Sequence, residues 1–222
     1  MTRILLLGAT GRTGAAILQA LPAGVEVTAA LRDPADTRRL AETAASLDHV
    51  VVDLSDSESL RHAMDGPDVV ANAIRLREDI APTELIDLHE RLLAAVETRG
   101  RACRIVTVGG AGALRLPGGE RFWQSPAFPR ATLPRGHAHA ALRDHLEAGN
   151  AGDTWAYLIP PPAYVPDGPA AGRWEIVPPA LDETAFTDRA ISYADFGAAV
   201  VEAVVNAGRG TQLIAWQHYI EQ

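Results

Sequence analysis

The sequence contains no lysine, and all 20 of its basic residues are arginine. Any reaction that depends on a lysine ammonium group is therefore excluded. Acidic residues outnumber basic ones by 28 to 20, which gives a formal net charge of -8. Because nucleic-acid binding is carried by basic side chains that neutralise phosphates, this balance argues against a nucleic-acid partner.

Cysteine and long apolar runs are also scarce. The single cysteine, Cys103, cannot form an internal disulfide, and its place beside an apolar strand predicts a small buried side chain. No signal peptide and no apolar stretch of about 20 residues is evident. We therefore expect a cytoplasmic protein with no membrane partner.

The chain length and the absence of a linker predict one domain. With 222 residues and 47% hydrophobic composition, the chain can bury one good-sized core. No Ser/Gly/Pro-rich segment divides it. We expect a single domain over residues 1–222.

A glycine-rich turn near the start of the chain is the most informative feature that is present. The segment Gly8-Ala9-Thr10-Gly11-Arg12-Thr13-Gly14 follows an apolar strand at residues 3–7 and opens an apolar-periodic helix. Glycines at such a junction leave backbone N–H groups free to face an anion, and the positive end of the helix dipole adds to the attraction. This context predicts a dinucleotide-binding turn.

The residue that ends the second strand bears on the choice of cofactor. An acidic side chain there holds the ribose hydroxyls of NAD, whereas an arginine accommodates the 2′-phosphate of NADP. The chain has Arg32 at this place, and Arg12 in the turn can contact the same phosphate through a planar guanidinium. We therefore predict NADP, while Asp33 keeps NAD open.

Strands and helices alternate along the first half, which predicts an α/β fold of the Rossmann type with a doubly wound parallel sheet. Ser55 and Glu58 resemble a capping box for a helix that ends near Met64. Ligands of such sheets bind at the carboxyl ends of the strands. Five strands are predicted for the sheet, at residues 3–7, 25–31, 49–53, 68–74 and 104–108, with a longer helix at 83–98.

The second half is predicted to complete the domain with a small substrate region. Residues 109–135 are rich in glycine and proline, and we expect this segment and residues 160–190 to form a small cap on the substrate side. The remaining predicted elements are helices at 135–148 and 192–206 and strands at 154–159, 172–177 and 211–216.

Several segments together resemble a known family. They are the glycine turn, Val108–Leu114, Pro126–Pro129, Trp155–Pro161 and Ile191–Phe196, and they look like successive landmarks of the NAD(P)H-binding group of atypical short-chain dehydrogenases. This group includes the NmrA-like proteins and proteins grouped as NADH-flavin reductases. The resemblance implies a Rossmann domain and a bound nicotinamide dinucleotide. The residues predicted to bind it are Gly8, Thr10, Gly11, Arg12, Thr13, Gly14, Arg32, Asp53, Leu54, Ala73, Gly109 and Pro160.

The chain departs from the short-chain dehydrogenase pattern at the catalytic positions. That pattern uses a Tyr-x-x-x-Lys pair and a serine after the fifth strand. The pair cannot exist without lysine, and Gly109 and Gly110 stand at the serine position. His137 and His139, at the head of the next helix, are the candidate proton donors, because histidine titrates near neutrality. Their spacing points the rings about 200° apart, so we expect one at most to face the site. No metal site is predicted.

Three functions remain open from the sequence. The first is an NADPH-dependent reductase that passes a hydride to a flavin, a quinone or an enone or ketone. The second is a non-redox biosynthetic enzyme, such as an isomerase or cyclase, on the same scaffold. The third is an NmrA-like redox-sensing binding protein. We favour the reductase, with a small-molecule substrate, and a homodimer stays open.

Overall fold

The computed structural model describes residues 2–76, 80–98, 100, 102–150 and 154–217 and contains one large sheet with helices on both faces. Its sheet order is β3-β2-β1-β4-β5-β6-β10-β8, parallel throughout except for β8, which pairs antiparallel with β10. This is the Rossmann order with two added strands. A separate parallel pair joins β7 and β9. The strands are β1 (Arg3–Leu7), β2 (Glu26–Leu31), β3 (Ser46–Val51), β4 (Val69–Asn72), β5 (Arg104–Val108), β6 (Trp155–Ile159), β7 (Ala163–Val165), β8 (Trp174–Val177), β9 (Ala190–Ser192) and β10 (Gly210–Trp216).

The helices cover the sheet because its central strands are apolar on both faces. In β1, Ile4 and Leu6 pack into the core that α1 and α5 share, while Leu5 and Leu7 pack into the core beneath α2 and α3. Alternate residues of a strand point to opposite faces, so one short strand serves both cores. The helices are α1 (Arg12–Ala20), α2 (Ser57–Ala63), α3 (Glu84–Glu97), α4 (Leu133–His145) and α5 (Tyr193–Val205).

The predicted α/β class and Rossmann-type sheet are confirmed, with corrections to its extent. The prediction of a five-stranded sheet was wrong, since β6, β10 and β8 extend it to eight. The third strand runs over Ser46–Val51 rather than 49–53. It lies at the sheet edge, where most of its residues are exposed, so it lacks the apolar pattern that marks a buried strand.

The predicted capping box at Ser55 was also wrong. Asp56 caps α2, because its carboxylate accepts from the backbone N–H groups of Glu58 and Ser59 at 3.1 and 3.3 Å. Ser55 is instead held in a turn by Asp53, which accepts from its backbone N–H at 2.9 Å and its hydroxyl at 2.6 Å.

A buried ion pair joins the two segments that were predicted to form a cap. Arg143 on α4 is fully buried and donates from Nη1 and Nη2 to the two carboxylate oxygens of Glu183, each at 2.7 Å. It also donates to the carbonyl of Ala113 at 2.9 Å. Glu183 in turn accepts from the backbone N–H of Arg115 at 2.8 Å. Residues on both segments, 109–135 and 160–190, are thus anchored to α4.

Candidate functional site

A cleft of about 1020 Å³ opens at the carboxyl ends of β1, β2 and β4, where the strand order reverses. Ligands of open α/β sheets bind at this point, and the volume lies at the upper end of the range for ligand pockets. Its lining residues are Leu7, Gly8, Thr10, Gly11, Arg12, Thr13, Ala30, Leu31, Arg32, Asp36, Arg39, Val52, Leu54, Ala73, Ile74, Arg75, Leu76, Ile80, Glu84, Arg135 and Tyr193.

The three glycines of the turn have different packing roles. Gly8 has φ +76°, and a Cβ there would lie 2.5 Å from the carbonyl oxygen of Ala73. A Cβ at Gly14 would lie 2.2 Å from the carbonyl oxygen of Gly8, so Gly14 lets α1 pack directly on the turn. Gly11 is less crowded, since its Cβ would meet protein only at 3.2 Å, and it borders the cleft. The side of Gly11 that faces the cleft is thus left open for a ligand.

The amino end of α1 has the features of an anion-binding helix terminus. Gly11 occupies the N-cap position, and no side chain caps the helix there. The first turn contains no acidic residue, and Arg12 and Thr13 both border the cleft. The first N–H groups of a helix lack intrahelical acceptors and carry the positive end of its dipole. These features fit the pyrophosphate of a dinucleotide.

Three arginines border the side of the cleft next to β2. We call this side the β2 end and define it as Arg12, Arg32, Asp36 and Arg39. Arg39 is paired with Asp36 at 2.9 Å, whereas Arg12 and Arg32 form no ion pair within the described residues. Asp33 does not border the cleft, because its carboxylate caps the following 3₁₀ turn by accepting from the backbone N–H of Ala35 at 2.7 Å. The sequence reasoning missed Asp36 and Arg39, which lie on the 3₁₀ turn Pro34–Arg39 after the second strand.

Four of the predicted cofactor residues do not border the cleft. Gly14 packs behind the turn. Asp53 accepts hydrogen bonds from Ser55, and these bonds lower the pKa of the Asp53 carboxyl group. Gly109 is held against β6, where a Cβ would lie 2.9 Å from the carbonyl oxygen of Leu158. Pro160 is buried at the end of β6. The cleft is bordered by the other eight predicted residues, namely Gly8, Thr10, Gly11, Arg12, Thr13, Arg32, Leu54 and Ala73.

The opposite side of the cleft, which we call the β4 end, comprises Arg75, Leu76, Ile80, Glu84 and Arg135. Arg75 and Leu76 follow β4, Glu84 begins α3, and Arg135 lies in the first turn of α4. Arg135 is the one described residue of the predicted cap that borders the cleft. No pattern in the sequence predicted that α4 would contribute an arginine here.

Tyr193 borders the cleft from the start of α5 and is held by a stacked aromatic pair. Its ring lies 3.7 Å from that of Tyr164, with an angle of 14° between the ring planes. The Tyr164 hydroxyl lies 3.0 Å from Oγ1 of Thr13, and burial raises the pKa of Tyr164, so that hydroxyl stays protonated. Tyr193 thus occupies a fixed position beside the first turn of α1. It was not among the predicted site residues.

Neither candidate histidine borders the cleft. His137 stacks on Trp123, with 4.5 Å between the ring centres. Nδ1 of His139 lies 2.9 Å from the hydroxyl of Tyr157, and burial together with the charge of Arg135 lowers the pKa of His139 to about 4. A catalytic role for His137 or His139 therefore stays a prediction, and the positions of the two side chains do not support it.

The cleft is electropositive in an acidic protein. Five arginines and two carboxylates line it, a formal charge of +3, although the whole chain carries -8. A cleft lined by one sign of charge concentrates ligands of the opposite sign. Within the described ranges, no cluster of three or more histidine, cysteine or acidic side chains is placed to hold a metal ion. No described helix has the length and apolar character that crossing a bilayer requires.

Comparison with known proteins agrees with this geometry. The model of a family described as NAD(P)H-binding matches residues 8–207. The protein YwnB of Bacillus subtilis is 28% identical over 207 residues, which are 90% of this chain and 91% of YwnB.

Two solved structures are similar over almost the whole chain. A Streptococcus pneumoniae protein provisionally named an NADH-flavin reductase is 24% identical with a TM-score of 0.74, and the match covers 98% of this chain and 100% of that one. A Bacteroides thetaiotaomicron protein provisionally named an epimerase is also 24% identical, with a TM-score of 0.79 and 98% of both chains covered. At this identity the two structures establish the shared fold.

Proposed function

This chain belongs to the NAD(P)H-binding family, and we propose that it is an NADPH-dependent reductase that passes a hydride to a small conjugated acceptor. Flavins, quinones and enones or ketones are the acceptor classes. Family membership indicates a nicotinamide cofactor. The choice of NADPH and of the acceptor class is our proposal, and it is supported by the charges and contacts of the cleft.

The observation that carries the proposal is the arrangement of Arg32 and Asp33 at the end of β2. Arg32 borders the cleft with a guanidinium that forms no ion pair with a described residue, whereas the Asp33 carboxylate is occupied by the backbone N–H of Ala35. An acidic side chain that held NAD would have to face the ribose. A guanidinium in that place, with Arg12 at the same end of the cleft, suits a 2′-phosphate through charge-assisted hydrogen bonds.

The residues of the chain bind and orient the reactants, and the cofactor supplies the hydride. The first-turn N–H groups of α1 would hold the pyrophosphate, and the apolar side chains of Ile74 and Leu76, which follow β4, would limit water in the cleft. Tyr193 borders the same cleft, and we assign it as the hydrogen-bond donor to the acceptor. The acceptor gains two electrons and one proton as hydride, and a second proton from Tyr193 or water balances the reaction.

A conjugated acceptor fits a chain without the Tyr-x-x-x-Lys pair. In a quinone, flavin or enone the added charge spreads over the acceptor itself, so the demand on an enzyme acid is small. A provisional name of NADH-flavin reductase for the Streptococcus pneumoniae structure points to the same class of reaction.

The test is NADPH oxidation by the purified protein with a panel of quinones, flavins and enones. The decrease in NADPH absorbance measures the reaction. We expect oxidation with at least one acceptor class and weaker activity with NADH. The Gly11→Val variant is the control for reactions outside the cleft. Tight NADPH binding without oxidation of any acceptor would contradict the reductase and favour a redox sensor, and absence of nucleotide binding would overturn the whole proposal.

A further inference from the structure

We propose that the β4 end of the cleft binds an anionic group of the acceptor between Arg75 and Arg135, so that the preferred substrates are conjugated molecules with a carboxylate, sulfonate or phosphate. This inference rests on the proposed function, because it concerns the second ligand of the same cleft. It goes beyond that function by naming the substrate chemistry.

The two arginines reach one end of the cleft from separate elements. Arg75 follows β4, and Arg135 lies in the first turn of α4, 60 residues later in the chain. Both border the cleft. In the part of the chain that the structure describes, neither guanidinium makes a hydrogen bond or an ion pair.

Other arginines of this chain do find carboxylate partners. Arg39 pairs with Asp36 in the same cleft, and other described arginines with carboxylate partners are Arg3, Arg115, Arg121, Arg143 and Arg189. An arginine side chain with a carboxylate in reach readily forms such a pair, since its fork matches carboxylate geometry. Among the described residues, Arg75 and Arg135 thus keep their donors available to a ligand of the cleft.

Among the described residues that border this end, Glu84 is the acidic one, and it does not neutralise the pair. It lies in the first turn of α3, where the positive end of the helix dipole stabilises its carboxylate. It forms no ion pair with Arg75 or Arg135 within the described residues. Counted over the described residues that border this end, the side-chain charge is +1, with two guanidinium groups available to an anion.

The rest of the β4 end is apolar and suits the conjugated body of the same ligand. Leu76 is only 8% exposed, and the side chain of Ile80 is half-buried beside it. Ligand sites combine an apolar lining with a small number of charged groups that fix orientation. Two guanidinium groups can hold an oxyanion at one edge while the flat part of the molecule packs on Leu76 and Ile80.

The experiment compares acceptors that differ only in an anionic group. The probes are riboflavin against FMN, and 1,4-naphthoquinone against its 2-sulfonate. Binding is measured first by calorimetry with the protein saturated with NADP⁺, which occupies the other anion sites of the cleft and prevents turnover. The KM for each probe is then measured with NADPH. Arg75→Gln and Arg135→Gln are the test variants, and Arg130→Gln, an exposed arginine that does not border the cleft, is the matched control.

We expect the anionic member of at least one pair to bind about tenfold or more tightly, as charge-assisted hydrogen bonds allow. Each test variant should lose most of this preference, while the affinity for the neutral member and for NADP⁺ stays within about threefold. Arg130→Gln should keep the parent preference.

Equal affinity for both members of both pairs, or a preference that survives Arg75→Gln and Arg135→Gln, overturns the inference. These outcomes are distinct from a failure of the proposed function. If NADPH is never oxidised, the comparison of anionic and neutral probes on the NADP⁺-saturated protein still decides whether the anion site exists. If NADP⁺ does not bind, the reductase proposal fails, and the same comparison on the free protein decides the anion site.

Discussion

The hydroxyl of Tyr164 lies 3.0 Å from Oγ1 of Thr13 and joins the C-terminal part of the chain to the first turn of α1. Tyr164 also stacks on Tyr193. An aromatic residue at the start of α5 is thereby held in a fixed position beside the anion-binding terminus. The proposed proton donor and the proposed phosphate site belong to one packed unit.

Replacement of Tyr193 by Phe tests the proton donor. With an enone or ketone we expect kcat to fall about tenfold or more, because general acid catalysis normally contributes at least this much. With a quinone we expect a change of about threefold or less, since the quinone spreads the added charge over its own ring. The stacking on Tyr164 is retained in the Phe variant.

His137→Ala and His139→Ala are measured beside Tyr193→Phe with the same acceptors. Since neither histidine borders the cleft, we expect both variants to keep kcat within about threefold of the parent with enone acceptors. A large loss in one histidine variant, with normal activity in Tyr193→Phe, would return the catalytic role to that histidine.

Replacement of Arg32 by Asp is expected to reverse the cofactor preference. The loss of a charge-assisted contact and the added repulsion of a carboxylate should weaken NADPH binding about tenfold or more, with little or favourable effect on NADH. Calorimetric titration of both nucleotides measures the change. Arg38→Asp is the matched control, since Arg38 lies six residues later, on the 3₁₀ turn Pro34–Arg39, and does not border the cleft. Unchanged affinities in Arg32→Asp would remove the argument for NADP.

Replacement of Gly11 by Val is expected to abolish dinucleotide binding, because the side chain fills the space next to the pyrophosphate. The fold should survive, since φ at Gly11 is -83° and the carbonyl oxygen of Gly8, 3.2 Å from the Cβ position, has to move by only a few tenths of an ångström. Nucleotide titration together with the circular dichroism spectrum checks both points. Gly14→Ala should instead lower the free energy of unfolding, since its Cβ would lie 2.2 Å from the carbonyl oxygen of Gly8. Normal binding by a folded Gly11→Val protein would place the ligand elsewhere.

Acid should destabilise the protein through a buried histidine on α3. His89 is 2% exposed, its ring nitrogens have no partner among the described residues, and burial lowers its pKa from 6.5 to about 4. Between these two pH values the unfolded chain binds a proton that the native state does not. The free energy of unfolding therefore falls as pH drops through this window, by on the order of 1–3 kcal/mol for this residue.

His89→Leu removes this contribution without a large change in volume. We expect its free energy of unfolding to decline less between pH 6.5 and pH 4 than that of the parent, as measured by urea denaturation at several pH values. A decline equal to that of the parent would show that other groups cause the acid sensitivity. His139, whose pKa is also lowered to about 4, should keep part of the decline in the variant.

The local part of the fold and site could be predicted because it depends on short segments. The strand, the glycine turn and α1 are contiguous, so Gly8, Gly11, Arg12 and Thr13 could be assigned from their order alone. The doubly wound parallel sheet followed from the alternation of strands and helices, whereas the strand order is a finding of the structure. The edge strand β3 was misplaced, because its exposed residues do not carry the apolar pattern on which the reasoning relied.

The order of residues alone established that a glycine-rich turn opens an α/β sheet and that Arg32 directly follows the second strand. Which side chains meet across the cleft depended on the tertiary contacts. Asp33 and Arg32 are neighbours in sequence, yet the capping bond to Ala35 turns one away and leaves the other at the cleft. Arg135 and Tyr193 come from distant helices and reach the cleft only when the sheet assembles, since parallel strands bring their carboxyl ends to one edge whatever their separation along the chain.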